Sequence, residues 1–225
     1  MKLSNETREI LKNYANINSN LLVNTGNKIA TMSSMKNIVS IAELPDTFET
    51  EFAIYDLNEW LSAMSLFNDP ELDFGENSVR MWEGNQSLKY FYSDPTVVTT
   101  PKSDITFPTS DATFTLTKDT FNKVLKAASV LNAPDMVLER SMDLEHAPSS
   151  ITVKDKKNDT ANNYSLDVDT NGDGEFNFFF KVENMKLLDG TYDVEISAKN
   201  ISHYKNKNSD IEYWIALEPE STYTV

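Results

Sequence analysis

Apolar positions recur at helical spacing over residues 4–17. At ~100° per residue, Ile10, Leu11, Tyr14 and Ile17 fall on one side, and Asn5, Arg8, Lys12 and Asn16 on the other. Ser4 is placed to cap this helix, and Glu6 and Glu9 sit near the positive end of its dipole. The period then shortens. Residues 21–23, 28–32, 37–44 and 51–55 read as strands, with a turn at 24–27. Asp56 begins a second helix, 57–67, which Asn68-Asp69-Pro70 stops. Residues 78–82 and 88–92 form a hairpin around Glu83-Gly84-Asn85. From 93 to 108 the prolines 95, 101 and 108 remove donors and disfavour helix, so the chain reads as an extended connector. The organisation expected is a first domain over 1–94, a connector over 95–108 and a second domain over 109–225.

The second half repeats the first. Leu3-Ser4-Asn5-Glu6-Thr7 answers Leu116-Thr117-Lys118-Asp119-Thr120, and Ile10-Leu11-Lys12 answers Val124-Leu125-Lys126 one residue out of step. Glu51-Phe52-Ala53-Ile54-Tyr55 resembles Glu175-Phe176-Asn177-Phe178-Phe179, and each leads into a helical segment. Two matched blocks in the same order predict a duplicated α+β unit, an antiparallel sheet backed by two short helices.

Composition narrows the chemistry. The 225 residues hold 20 basic and 35 acidic side chains, a net charge of −15, with 40% hydrophobic residues and no cysteine. Disulfides, thiolate zinc and a cysteine nucleophile are therefore excluded, and His146 and His203 are too few for a histidine-rich metal centre. There is no nucleophile elbow, phosphate loop or dinucleotide fingerprint, so neither an enzyme nor a cofactor is expected. His146 reads as a loop residue and His203 as a position on a strand surface. The run Asp167 to Gly174 starts like a calcium loop, but Phe178 stands where the bidentate Glu is needed, so the run reads as a hairpin turn. No apolar run approaches the ~20 residues that span a bilayer, and the first residues do not form a signal peptide.

Against this acidic background the cations gather on helix candidates. Over 118–131, Lys118, Asp119, Asn122, Lys123 and Lys126 share one arc, while Phe121, Val124, Leu125 and Ala128 share the other. Lys181 and Lys186 bracket the short segment 182–185. Two readings stay open: an ordinary solvated helix surface, or a basic lining that faces a polyanion. Residues 211–220 alternate as a strand that ends at Pro219. Ala216 to Pro219 could instead offer an apolar pocket beside Val97 and Val98 for a partner peptide.

Met1-Lys2-Leu3-Ser4, Leu11-Lys12-Asn13-Tyr14, Ala53-Ile54-Tyr55-Asp56-Leu57-Asn58, Phe176-Asn177-Phe178, Asn184-Met185-Lys186 and Ala216-Leu217-Glu218 resemble the sliding clamps of T-even-type bacteriophages, in collinear blocks along the whole chain. The resemblance implies a non-enzymatic DNA polymerase processivity factor. Three copies would close head to tail around duplex DNA, contacting it without regard to sequence, in the cytoplasm of the infected host. An ATP-dependent clamp loader would place the ring. The replicative polymerase, and late-transcription factors with RNA polymerase, would bind it. Lys2, Arg8, Lys12, Lys118, Lys123, Lys126, Lys181 and Lys186 would then face DNA. Val97, Val98, Ala216, Leu217 and Pro219 would take partner tails. Leu88, Tyr90 and Tyr92 of one subunit would join Tyr164 and Leu166 of the next through exposed strand edges. The alternative is an acidic two-domain structural or virion oligomer with no DNA role.

Overall fold

The computed structural model describes residues 1–101, 105–141 and 148–225. His146 and the middle of the connector lie outside the described residues. The chain divides into two compact units, Met1–Asp104 and Ile105–Val225. Every strand pairing described below is antiparallel.

Unit 1 opens with α1 (Asn5–Ile17). Thr7 donates its backbone N–H to the Ser4 hydroxyl at 3.1 Å, which satisfies one of the orphan donors of the first turn. The stripe read from sequence is the buried one: Ile10, Leu11, Tyr14 and Ile17 are all in the core. Ser40 donates to the Tyr14 hydroxyl at 3.2 Å, and burial pushes that phenol well above its ordinary range. Strands β1 (Leu21–Val23), β2 (Gly26–Met32), β3 (Ile38–Phe48) and β4 (Phe52–Ile54) lie in the order β3-β2-β1-β4. Helix α2 (Leu57–Met64) is capped by Asp56, which accepts from the N–H groups of Asn58 and Glu59 at 3.0 Å. It closes three residues earlier than its apolar pattern suggests, at Met64, where the Ser65 hydroxyl donates to the Ser62 carbonyl and ends the ladder. Strands β5 (Glu71–Phe74), β6 (Ser78–Glu83) and β7 (Gln86–Phe91) form a separate meander. Its tight turn uses Gly84 at φ 59°, a conformation that glycine takes without steric cost. Phe48, Phe52 and Phe74 meet with ring centroids 4.9–5.5 Å apart and tie β3 and β4 to β5.

Unit 2 rebuilds this plan. After β8 (Ala112–Leu116), α3 (Lys118–Leu131) starts on Thr117, whose hydroxyl accepts from the Thr120 N–H at 3.1 Å. The cap therefore repeats position for position, Ser4 and Thr7 against Thr117 and Thr120. Asn132 ends α3 in the left-handed region at φ 50°, two residues before Pro134. Replacing Thr117 with Ala is expected to cost about 1 kcal/mol, read as a lower denaturant midpoint with an unchanged slope.

Strands β9 (Asp135–Arg140), β10 (Ser149–Lys154), β11 (Tyr164–Val168), β12 (Thr170–Asn171), β13 (Glu175–Lys181), β14 (Tyr192–Ser197), β15 (Ile201–Asn206), β16 (Ile211–Ala216) and β17 (Thr222–Thr224) complete the unit. One sheet runs β11-β10-β9-β13-β17, and the other strands of the unit run β12-β8-β14-β15-β16. The expectation of an α+β chain with antiparallel sheets holds. The second helix of this unit is reduced to a 3-10 turn, Val182–Asn184. Residues 167–174 are not a hairpin turn. β11 pairs with β10, β12 with β8 and β13 with β9, so the run carries the chain from one sheet to the other and back. Gly174, at φ 95°, backs so closely onto the Thr224 carbonyl that no side chain fits there.

Candidate nucleic-acid interface

The solvated side of α1 carries Arg8, Lys12, Glu6, Glu9 and Asn16, and that of α3 carries Lys118, Asp119, Asn122, Lys123 and Lys126. Most of these cations already have a carboxylate. Lys2 Nζ lies 2.6 Å from Asp69 Oδ2, and an Arg8 guanidinium nitrogen lies 3.0 Å from Asp69 Oδ1. Lys12 pairs with Glu9 at 2.8 Å, Lys118 with Asp189 at 2.5 Å and Lys123 with Asp119 at 2.7 Å. The hydrogen bond between Lys2 and Asp69 pulls the carboxyl below its usual range and raises the ammonium. Asp119 raises Lys123 in the same way. Lys126 is exposed on α3 and makes no ion pair among the described residues.

Lys181 and Lys186 differ from these. Lys181 sits at the end of β13 with its Nζ 2.6 Å from Asp135, whose side chain is only 1% exposed. A buried carboxylate needs a countercharge, and Lys181 supplies it. Lys181 is therefore a structural partner, not a freely solvated cation. Lys156 joins the same cluster, bonding Glu218 at 3.0 Å and Glu220 at 3.1 Å. Burial would lower the Lys156 ammonium, but the hydrogen bonds it donates to Glu218 and Glu220 outweigh this and raise it. Lys186 is half-buried beyond the 3-10 turn.

The residues expected to take partner tails fall in both units. In unit 1, Val97 lies in a 3-10 turn, Pro95–Val97, and is 54% exposed, with Val98 half-buried beside it. Asp94 caps this turn by accepting from the Thr96 N–H at 2.8 Å, and Thr99 donates its N–H to Asn20 at 2.8 Å. In unit 2, Ala216 is half-buried at the end of β16, and Pro219 is exposed. Leu217 is only 6% exposed, on the inward side with Tyr213 and Ile215. It is a core residue of its unit, not an open pocket wall. Leu217→Asp is thus expected to destabilise unit 2 by about 3 kcal/mol or more, through lost packing and a charge placed inside. A thermal melt would show this.

On the strand edges, Leu88, Tyr90 and Tyr92 are half-buried, as are Tyr164 and Leu166 on β11. Tyr90 donates to Glu59 at 3.1 Å, and burial followed by that carboxylate raises its phenol to about 12. Sequence reasoning missed Phe91, which is 65% exposed on β7, and the exposed Tyr55, Leu66 and Val130. It also missed what His203 does. The imidazole lies between Glu195, at 3.1 Å, and Glu212, at 2.9 Å, and stacks on Trp214 with centroids 4.8 Å apart.

Residues 113–219 match the family model described as gp45 sliding clamp, C terminal. The sliding clamp of Vibrio phage KVP40 is 33% identical over 225 residues, covering 97% of this chain and 99% of that protein. The chain belongs to the sliding clamp family. The sliding clamp of Enterobacteria phage T4 is 30% identical over 241 residues, covering 99% of each chain. Among solved structures, A. fulgidus PCNA with the C-terminal region of FEN-1 bound aligns with a TM-score of 0.70 at 13% identity, over 96% of each chain. That likeness is one of fold. Members of the family are non-catalytic processivity factors for DNA polymerase.

Proposed function

We propose that three copies of this clamp close head to tail into a ring around duplex DNA, with α1 and α3 turned toward the phosphates. The observation that carries this reading is the repeated helix. The chain has a net charge of −15, yet α1 and α3 start on matched caps, bury matched apolar stripes and present their cations on the solvated side. Contacts with phosphate alone are independent of sequence and permit sliding. Retention on DNA comes from topology rather than from grip.

β7 and β11 end their sheets within their own units, and β11 pairs only with β10 among the described residues. Pairing these edges between copies joins the ring and covers Phe91 and Val130. Val97 and Val98 of unit 1, and separately Ala216 and Pro219 over the buried Leu217 of unit 2, each offer apolar surface to the C-terminal tail of the polymerase. The PCNA that carries a partner's C-terminal region supports tail docking on this fold. An ATP-dependent loader opens the ring, and late-transcription factors with RNA polymerase use the same surface in the host cytoplasm. The mass in solution tests the assembly. It is expected at three times the 25.5 kDa of the chain, and a monomer at micromolar concentration would contradict the ring.

A further inference from the structure

We infer that Asp69 is a resident surrogate for DNA phosphate, holding two DNA-facing cations in a phosphate-ready arrangement while cancelling their charge. This rests on the reading that α1 faces duplex. Asp69 offers one carboxylate oxygen to each of two cations: Oδ2 to Lys2 at 2.6 Å and Oδ1 to Arg8 at 3.0 Å. Two cations sharing the two non-bridging oxygens of one phosphate take the same arrangement.

The position of Asp69 is fixed from behind. Both oxygens of Glu83 accept backbone N–H groups, from Asn68 at 3.0 Å and Asp69 at 3.2 Å, and the Asn68 carbonyl accepts from Arg8 at 3.4 Å. Asp69 remains 53% exposed, and Arg8 is only 20% exposed, with its Nε buried and unpartnered among the described residues. Arg8 is therefore held in place by packing, while its carboxylate partner stands toward solvent.

The logic repeats on α3, where Asp189 takes Lys118 and Asp119 takes Lys123. Exposed ion pairs of this kind are worth little, so exchanging a carboxylate for a passing phosphate costs little in either direction. Cations neutralised in advance also neutralise fewer phosphates, so fewer of the counterions condensed on the DNA are released when the clamp meets it. The consequence is a lining that steers DNA without holding any phosphate for long.

The test is Asp69→Asn, which removes the charge and keeps the size. Binding of the intact clamp to a short linear duplex is measured by fluorescence anisotropy across a salt series. Asp193→Asn, which frees Lys207 from a comparable 2.9 Å exposed pair on β14, serves as the net-charge control. Lys12→Glu with Lys126→Glu reports whether the helices face DNA at all. The expected result is binding about five- to tenfold tighter at ~0.1 M salt for Asp69→Asn, with a salt slope steeper by about one to two, and no such change for Asp193→Asn. If Asp69→Asn binds like the unsubstituted clamp while the Lys12 and Lys126 reversals weaken binding, the helices face DNA and Asp69 is no surrogate. If Asp193→Asn tightens binding equally, the effect is net charge and the surrogate role is overturned. If the Lys12 and Lys126 reversals change nothing, the inward helices and the surrogate role fall together.

Discussion

Reversing charge at Lys12 and Lys126 together is expected to lower loading of the clamp onto DNA about 100-fold while leaving its solution mass unchanged. Both side chains are exposed, one on each of the repeated helices, and Lys126 has no carboxylate partner among the described residues. Each reversal replaces an attractive charge by a repulsive one, so a three-subunit ring gains about a dozen units of negative charge facing the duplex. Losing several phosphate contacts and adding repulsion changes affinity on this scale at moderate salt. Neither lysine packs in the core, and surface substitutions of this kind shift stability by about 0.5 kcal/mol or less. The yield of loaded clamp on nicked circular DNA checks the prediction. Loading as efficient as that of the unsubstituted clamp would remove the assignment of α1 and α3 to the DNA side.

Val97→Asp is expected to lower stimulation of the cognate polymerase at least tenfold without affecting assembly or loading. The side chain is 54% exposed in the Pro95–Val97 turn, and Asp94 fixes that turn through Thr96. Peptide tails dock through a few apolar anchors, and a carboxylate at the centre of such a patch desolvates badly. Val97 separates docking from folding better than Leu217, whose burial makes any charged replacement there a folding defect first. Primer-extension length with a limiting amount of polymerase reads the effect. Full-length products at the usual clamp concentration would mean that the tail docks elsewhere.

What could be read from sequence was local. The caps at Ser4 and Thr117 announce themselves by a hydroxyl three residues ahead of its N–H partner, and the stripe through Ile10, Leu11, Tyr14 and Ile17 needs only the helical period. The turn at Gly84 follows from one residue type. Pairings between distant segments were not readable. The run from Asp167 to Gly174 has hairpin chemistry, yet β12 pairs with β8, more than 50 residues away, because partner choice is made by sheet packing and not by the turn. Lys181 looked like a surface cation because nothing near it in sequence reveals that Asp135 is buried beside it. Asp69 first read only as part of a helix stop. Its role depends on Lys2, Arg8 and Glu83, which are brought to it by three different elements. Family resemblance filled part of this gap, since it placed the cations on helices that share one function, but it could not show which of them already have a partner.

The most direct measurement compares loaded clamp on nicked circular and linear duplexes of equal length. A ring threaded by DNA stays on the circle through a high-salt wash and runs off the free ends of the linear form, and blocking those ends restores retention. Equal loss from both forms, or equal retention on both without end blocks, would show that this chain holds DNA by contact alone and does not encircle it.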